Sequence, residues 1–373
     1  MTVAEFDEVD DLASLFARQS HAMAVNGSGL YAELCRSATL ELSRPSALRD
    51  VLDPWARSRV GDMVPLRILG AAHRLVLERK APVLALFFPT VGGVAPLDGG
   101  SRQMCFDAFV SALVEHRDRL PELLAGPPQT NEIARAAALV GVLHMVSAQW
   151  GLPIRLHELG TSAGLHLRAD HMRITGSGYD VGPIDSPVQL VDAWIDLHES
   201  LRAPHVIERV GVDHDPIDVT TSEGRLHLTS FVWPDQVDRY ERLRAVWPLV
   251  DEVPVDVIAG DLIDHVRSLE LQEGTALVLW HSSVWMYLTD AQRAEFAALL
   301  EGLAAKASPT SPLIEVSREF HQGRIGSSFP VVLRPWPMLE GVQARPGERI
   351  HVADSPAQGL PVQWCAPQIL AQV

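Results

Sequence analysis

A short segment in the middle of the chain combines a carboxylate, two hydroxyls and two glycines at close spacing. Residues 155–167 are Arg-Leu-His-Glu-Leu-Gly-Thr-Ser-Ala-Gly-Leu-His-Leu, with five small residues between two leucine-containing segments. This pattern predicts a strand that passes through a tight turn into a helix. In a parallel sheet such a turn faces the crevice where ligands bind. Gly160 and Gly164 let a ligand or the sheet approach the backbone, and Glu158 can bind a ligand or orient the turn.

The segment resembles motif I of class I S-adenosylmethionine-dependent methyltransferases, in which an acidic residue, one further residue and a glycine-rich turn follow one another. Ser162 stands where the middle glycine is usual. The resemblance implies a Rossmann-like α/β fold and S-adenosylmethionine as cofactor, with Glu158, Gly160, Ser162 and Gly164 around its methionine and ribose. A tight turn that binds no ligand is the structural alternative.

The same letters support a second class of enzyme. Gly160-Thr161-Ser162-Ala163-Gly164 matches G-x-S-x-G, the nucleophile elbow of α/β-hydrolases, with Ser162 as the nucleophile. The acids and histidines that follow it, as a triad requires, include Asp261, His281, His321 and His351. The long helical segment before the elbow counts against a hydrolase, because that fold needs several strands there. A third alternative keeps the fold as a binder of S-adenosylmethionine or a nucleotide without catalysis.

Hydrophobic spacing predicts two domains with different architectures. Apolar residues recur at helical spacing up to Trp150, and Thr130 or Asn131 is placed to cap the last of these helices. After Pro153 short apolar runs alternate with helical segments, which predicts a parallel sheet covered on both faces. The predicted strands are 154–159, 206–213, 255–259, 276–280, 313–316 and 331–333. We therefore predict a helical N-terminal or cap domain over 1–150 and a Rossmann-like methyltransferase domain over 151–373.

A methyltransferase also needs an acid at the end of its second strand, where one carboxylate can accept both ribose hydroxyls. Asp213 ends the run that begins at Val206, with an assumed insertion over about residues 171–205. Asp185 is the competing candidate if that strand is misplaced. An exposed turn acid before Pro216 is the structural alternative for Asp213.

The third and fourth strands end in further candidates. Asp261 can bind the adenine amino group or cap the helix that follows. His281 can act as a base, because the ordinary pKa of histidine lies near neutral pH. Trp285 and Tyr287 can wall the acceptor pocket or face the cationic sulfur, although tryptophan at a strand end is often core.

Two polar patches outside these strands are also candidates. Asn131 and Arg135 lie at the start of the helix that leads into the glycine turn, so we predict that they bind the acceptor, and Arg135 favours an acceptor that carries a carboxylate. Asp235 is predicted to cap the helix after it. Methyl transfer itself depends mostly on alignment and exclusion of water.

Nearly the whole chain resembles a bacterial family catalogued as domain of unknown function 2332. The segments that carry the resemblance are Gln129-Thr130-Asn131-Glu132, the glycine turn from Glu158 to Leu165, Asp213 to Asp218, Trp233-Pro234-Asp235-Gln236 and His281-Ser282-Ser283-Val284-Trp285. The resemblance implies a methyltransferase-like core behind a helical region, and no settled activity.

Composition narrows the partners. The 373 residues carry 31 basic and 47 acidic side chains, a formal charge of −16 that repels phosphate backbones and anionic membranes. Three distant cysteines, no basic-apolar leader and no long apolar run favour a cytoplasmic protein. Neither the histidines nor the cysteines have metal-ligand spacing. We expect a small-molecule substrate, no nucleic acid, no membrane and no metal.

Overall fold

A computed structural model describes residues 8–197, 200–320 and 328–370. Their contacts divide the chain into two compact units, unit 1 with 1–130 and 219–241 and unit 2 with 131–218 and 242–373. The boundary predicted at residue 150 differs from this division by the helix Ala136–Trp150, which belongs to unit 2. Two contacts with the sheet show why: the indole Nε1 of Trp194 donates to the Ala137 carbonyl over 2.9 Å, and Gly141 lies against the Trp364 ring.

Unit 1 is helical apart from a pair of short antiparallel strands, β1 (Val9–Asp11) and β2 (Arg57–Arg59). Its α-helices are Leu12–Val25, Gly29–Leu42, Ala47–Val51, Val64–Leu77, Pro82–Ala85, Gly99–Glu115, Leu120–Leu123, Ser222–Ser230 and the first part of Val237–Ala245. Side-chain caps start several of them, as at Asp11, which accepts from the Ser14 amide over 3.0 Å. Leu12, Leu15 and Phe16, which recur at helical spacing in the first helix, are buried.

Residues 219–241 return to unit 1 through a polar contact that sequence spacing did not suggest. The Asp235 carboxylate accepts from the Ser28 hydroxyl over 2.6 Å and from the Leu30 amide over 2.9 Å. These groups lie at the first turn of the helix Gly29–Leu42, where a negative charge is favourable. Asp235 therefore supports that helix, whereas the sequence predicted a cap for the helix that follows it.

Unit 2 contains one large, mostly parallel sheet. Its strands are β3 (Ile154–Leu159), β4 (Arg173–Gly176), β5 (Tyr179–Val181), β6 (Gln189–Ile195), β7 (Val206–Asp213), β8 (Asp256–Ala259), β9 (Ala276–Ser282), β10 (Leu313–Arg318), β11 (Ser328–Trp336), β12 (Ile350–Pro356) and β13 (Val362–Ile369). They lie in the order β5-β4-β6-β13-β12-β11-β10-β9-β3-β7-β8. The predicted mixed α/β class with a mainly parallel sheet is confirmed at this level.

The five adjacent strands β8, β7, β3, β9 and β10 are parallel to one another. Every residue of β3 and β10 is buried, as expected of strands covered on both faces. After β10 the chain turns back, and β11, β12 and β13 follow as antiparallel neighbours. The insertion assumed between the first two predicted strands is present, because β4, β5 and β6 extend the far end of the sheet beyond β13.

Helices cover the sheet of unit 2. The α-helices are Ala136–Trp150, Trp247–Glu252, Leu262–Ser268 and Asp290–Ala304, with 3-10 turns at Ile133–Arg135, Leu165–His171 and Trp285–Tyr287. Leu159 of β3 shares a core with Leu262, Phe296 and Leu300 from two of these helices. That core fixes the face of β3 which carries Leu159, and so the direction in which the chain leaves the strand.

One helical stretch in the described chain, Ile133–Trp150, is long and apolar enough to cross a membrane by length and composition alone. Protein atoms bury 78 % of it. Such burial is what a helix in the core of a folded domain shows.

Candidate functional site

The glycine turn Gly160–Gly164 lies where the order of the strands reverses. After β3 and the insertion that contains β4, β5 and β6, the chain forms β7 and β8 on one side of β3. It then forms β9 and β10 on the other side of β3. The carboxyl ends of the parallel strands form a crevice at such a reversal, and ligands of open α/β sheets bind there. Gly160, Ser162 and Gly164 have φ values of 70°, 54° and 69°, so the turn is built from left-handed residues. The position of the turn agrees with the prediction.

The two glycines are needed for packing against the protein. A Cβ on Gly160 would lie 2.3 Å from Cγ2 of Val284, and one on Gly164 would lie 2.9 Å from Cγ2 of Val257. Valine methyl groups therefore occupy the space beside both Cα atoms. The close approach of neighbouring protein to these glycines, expected from the sequence, is present, and approach by a ligand stays a prediction.

Glu158 orients the turn. Its buried carboxylate accepts from the Thr161 hydroxyl over 2.6 Å and lies 2.8 Å from Nδ1 of His166. The other ring nitrogen of His166 donates to the Glu132 carbonyl over 2.8 Å. A carbonyl only accepts, so Nε2 of His166 carries a proton. Of the two roles that the sequence allowed for Glu158, the contacts support orientation of the loop.

Asp213 ends the strand beside β3, and Asp185 does not. The register pairs Leu159 with Val212, so Asp213 stands level with the start of the glycine turn. Its carboxylate accepts from the Ser162 amide over 2.8 Å and from the Asp215 amide over 3.1 Å. A carboxylate offers about four lone-pair positions, so these two bonds leave capacity for further donors. The strand assignment is confirmed, and the role in binding ribose stays a prediction.

Two serine hydroxyls at this edge of the sheet are buried without a partner among the described residues. They belong to Ser162, which is 6 % exposed, and to Ser283, which follows β9. Ser283 also has a left-handed backbone, with φ 63°. Such conformations cost a non-glycine residue about 1–3 kcal/mol and cluster at functional sites. A buried hydroxyl is normally hydrogen-bonded, so the pair indicates a site for a polar ligand.

The same geometry bears on the hydrolase alternative. A serine nucleophile needs an imidazole within hydrogen-bond reach, and in the described chain the Ser162 hydroxyl has none. Both ring nitrogens of His166 and of His281 are bonded elsewhere. His321, another candidate from the sequence, lies outside the described residues.

Asp261 caps a helix. Its Oδ1 accepts from the amides of Ile263 over 2.7 Å and Asp264 over 3.2 Å, at the start of the helix Leu262–Ser268. His214 lies 3.6 Å from the other carboxylate oxygen. The capping role considered from the sequence is present, and adenine binding stays a prediction.

His281 lies between two carboxylates. Its Nε2 is 3.0 Å from Glu315 and its Nδ1 is 2.8 Å from Glu319. Glu319 also accepts from the backbone amides of Val284 and Trp285, so it holds the turn after β9 in place. Both acids were missed by the sequence reading. The signal available was the presence of charged residues in and beside an otherwise apolar predicted strand, from Leu313 onward.

The charge state of His281 follows from this pair. Burial alone lowers its pKa, but the hydrogen bonds and charges of Glu315 and Glu319 outweigh burial and raise the pKa to about 9. For Glu315, burial raises the pKa of the carboxyl. The effects of His281 and Arg334 are opposite and larger together, so the net shift of this pKa is downward. His281 is therefore an imidazolium at neutral pH with both N–H groups occupied. The predicted role of His281 as a base is corrected for this reason.

The two aromatic residues predicted to line the pocket of the methyl acceptor have different contacts. The Trp285 ring stacks on His281 at 5.1 Å between centroids. Tyr287 is 59 % exposed, yet surrounding protein, Glu319 and Asp213 raise its pKa while Arg135 lowers it, so the phenol keeps its proton at neutral pH. Tyr287 is therefore within electrostatic range of Arg135 and Asp213. The structure thus brings together residues from three predicted motifs.

Asn131 does not cap the helix that follows it. Glu132 accepts from the Ala134 amide over 3.3 Å and starts the turn Ile133–Arg135. The Oδ1 of Asn131 instead accepts from the Leu165 amide over 2.9 Å. It therefore links the segment before the helix Ala136–Trp150 to the end of the glycine turn, and this contact replaces the predicted cap.

Within the described ranges, no group of three histidine, cysteine, aspartate or glutamate side chains is arranged to hold a metal ion.

Comparison with known proteins identifies one relationship. Residues 13–364 match a family described as "Uncharacterized protein conserved in bacteria". No curated protein and no solved structure matches the chain.

Proposed function

The chain belongs to this uncharacterized bacterial family, DUF2332, and we propose that unit 2 is an S-adenosylmethionine-dependent methyltransferase acting on a small molecule. One observation carries the proposal. A strand-end carboxylate, Asp213, bonds to the amide of Ser162, whose own hydroxyl is buried and has no partner in the described chain. Both stand at the reversal of a sheet with the strand order β8-β7-β3-β9-β10.

The order of those five strands supports the finer fold assignment. Numbered along the parallel core, they follow 3-2-1-4-5, the order of doubly wound sheets that bind nucleotide cofactors at the reversal. The resemblance of residues 158–164 to motif I falls at this reversal. After β10 the next strand in the chain is an antiparallel neighbour, so the proposal rests on the five parallel strands.

The residues fit the nucleoside end of S-adenosylmethionine better than its methionine end. Asp213 has acceptor capacity for two adjacent ribose hydroxyls, and Ser162 can donate or accept beside it. Val284 and Val257 cover the glycines that were expected to face the methionine. When bound, the cofactor would supply an electrophilic methyl group.

The protein's contribution to transfer would be alignment and exclusion of water. His281 holds both its protons in the ion pairs with Glu315 and Glu319, and Tyr287 keeps its phenolic proton, so neither removes a proton from the acceptor. An acceptor that is already nucleophilic at neutral pH meets this condition. A carboxylate does so, and the nearby guanidinium of Arg135 favours it.

Calorimetry with S-adenosylmethionine and S-adenosylhomocysteine tests the proposal. We expect Asp213→Asn to weaken binding by about 1–3 kcal/mol, or roughly 5- to 150-fold, because a charged acceptor is lost. Asp185→Asn is the matched control: it removes the same charge at an exposed residue, and it should leave affinity unchanged. Absence of binding to either ligand at millimolar concentration would refute the proposal.

Two further results would replace the methyltransferase proposal with one of the alternative functions. Labelling of Ser162 by a fluorophosphonate, without S-adenosylmethionine binding, would support the hydrolase. Binding without turnover over a broad panel of carboxylate, amine and thiol acceptors would support the non-catalytic binder. Ser162→Gly serves as the control for labelling, since glycine tolerates the φ of 54° while removing the hydroxyl.

A further inference from the structure

A cysteine, a histidine and an aspartate meet on the last two strands of unit 2. The sulfur of Cys365 on β13 is 3.5 Å from Nδ1 of His351 on β12. The other ring nitrogen of His351, Nε2, is 3.0 Å from Oδ2 of Asp354. The three groups therefore stand in the order nucleophile, base and orienting acid, which is the arrangement of activated nucleophiles in general.

An irregularity in β12 makes this arrangement possible. Residues three apart on a regular strand point to opposite faces, so Asp354 would ordinarily turn away from His351. The register between β12 and β13 shifts between His351 and Ala353. Such a bulge re-aims the side chains that follow it, and bulges are frequent beside active sites. The distance between Asp354 and His351 is that of an ion pair, but the angle at Nε2 is not that of a hydrogen bond.

Two neighbours of His351 across the sheet are uncharged. Its partners in the sheet, Val332 on β11 and Gln368 on β13, carry no titratable group. The Asp354 carboxylate lies beside the ring, with Oδ2 3.0 Å from Nε2. A nearby carboxylate favours the imidazolium form and so favours transfer of the Cys365 proton to His351.

The other two cysteines provide a contrast within the same chain. Cys35 and Cys105 are buried in unit 1, whereas Cys365 is partly exposed. Burial raises the pKa of Cys35 far above its ordinary value and raises the pKa of Cys105 to about 12. Neither thiol is therefore reactive in the folded protein, so any fast thiol chemistry of the native chain must come from Cys365.

We propose that Cys365 is an activated thiol and a site of modification by low-molecular-weight disulfides. In this exchange His351 takes the proton of Cys365, and the thiolate attacks one sulfur of the disulfide. The disulfide's own S–S bond breaks as the bond to Cys365 forms. The departing thiolate then takes the proton from His351, so the exchange balances without any other oxidant. Asp354 is a positioning residue that keeps the ring directed at the sulfur.

This centre is distinct from the crevice at the end of β3. The strands β10 and β11 lie between β12 and β9 in the sheet, so the two sites are separated by the width of several strands. The proposal therefore does not depend on methyltransferase activity.

The test uses the native full-length chain and 5,5′-dithiobis(2-nitrobenzoate), a disulfide that releases a coloured thiolate on exchange. We expect one thiol per chain to react rapidly, with an apparent pKa clearly below the value of about 8.5 for a free cysteine. At about pH 6 the rate should exceed that of free glutathione by at least about tenfold. Cys365→Ser should abolish this phase, and Cys35→Ser should leave it intact.

Substitutions at His351 and Asp354 show whether Cys365 reacts because these residues activate it or only because it is exposed. His351→Gln should lower the rate at about pH 6 by at least about tenfold and move the apparent pKa toward about 8.5. Asp354→Asn should give a smaller loss in the same direction, while its circular dichroism stays native. Mass spectrometry after incubation with oxidised glutathione should place one glutathionyl group on Cys365.

Two outcomes would overturn the proposal. One is a pH dependence of the exchange rate at Cys365 that matches that of a free thiol and is unchanged in Asp354→Asn and His351→Gln. The other is a native protein in which Cys365 reacts as slowly as the two buried cysteines. If His351→Gln does not fold, the profile of the unmodified chain together with Asp354→Asn decides the question.

Discussion

The protonation of His281 should make the stability of unit 2 depend on pH in a direction opposite to that of most histidines. Buried histidines usually lose their charge on folding, because burial lowers their pKa. In His281 the carboxylates of Glu315 and Glu319 overcome burial, and the pKa rises from 6.5 in a free side chain to about 9. The folded state therefore holds this proton more tightly than the unfolded state does.

The size and sign of the effect follow from linkage. Below about pH 6.5 both states carry the proton, and the stabilisation from the ion pairs is fully present. As pH rises, the unfolded chain loses the proton first, so the free energy of unfolding falls until the folded pKa is passed. The rise to about 9 corresponds to a loss of about 3 kcal/mol across that interval.

Urea unfolding at several pH values between about 6 and 9 measures this loss. We compare the parent chain with His281→Gln, and use His214→Gln as a matched control because the His214 side chain is 75 % exposed. The stability difference between the parent and His281→Gln should narrow by about 3 kcal/mol over the interval. A difference that stays constant with pH would refute a buried imidazolium.

Two pairs of substitutions test the packing role assigned to Gly160 and the helix-capping role assigned to Asp261. Gly160→Ala should lower the free energy of unfolding by about 1–3 kcal/mol, because its φ is 70° and Val284 occupies the space of a Cβ. Gly302→Ala, at an exposed position of the helix Asp290–Ala304 with open space around it, should raise the free energy of unfolding by about 0.5–1 kcal/mol in the same urea assay; equal effects of the two substitutions would contradict this view of the turn. Asp261→Ala should cost about 1 kcal/mol through loss of the helix cap, whereas Asp261→Asn should cost little. Equal losses in thermal unfolding for these two Asp261 variants would argue against capping.

Local sequence determined much of the sheet because the parallel core strands are short runs rich in apolar residues between turn residues. The predicted bounds 154–159 and 206–213 are those of β3 and β7. The small residues 160–164 predicted the turn, and Asp213 followed from the end of its strand. Each of these inferences needs only the next few residues along the chain. The return of residues 219–241 to unit 1 did not follow in this way, since Asp235 bonds to Ser28, which lies 207 positions earlier.

Charges inside the sheet could not be predicted for a related reason. Glu315 and Glu319 lie 34 and 38 positions from His281, and only the parallel pairing of β9 with β10 brings them together. A lone histidine after an apolar run predicts a neutral base with its ordinary pKa. The pairing of strands converts it into a buried cation beside Glu319, whose carboxylate accepts from the amides of Val284 and Trp285 in the following turn. Tertiary contacts thus reversed the chemistry that the residue type suggested.

The three acids at the strand ends show where the evidence for a ligand is concentrated. Glu158 is engaged by Thr161 and His166, and Asp261 is engaged by the helix that it caps. Asp213 is held by two backbone amides and keeps acceptor positions, next to a serine hydroxyl whose partner is absent from the described chain. A turn that needed only to be rigid would gain from glycine at position 162, where φ is 54°. Retaining a strained serine with a buried hydroxyl makes physical sense if a ligand satisfies that hydroxyl, so Asp213 and Ser162 are the residues on which binding experiments should concentrate.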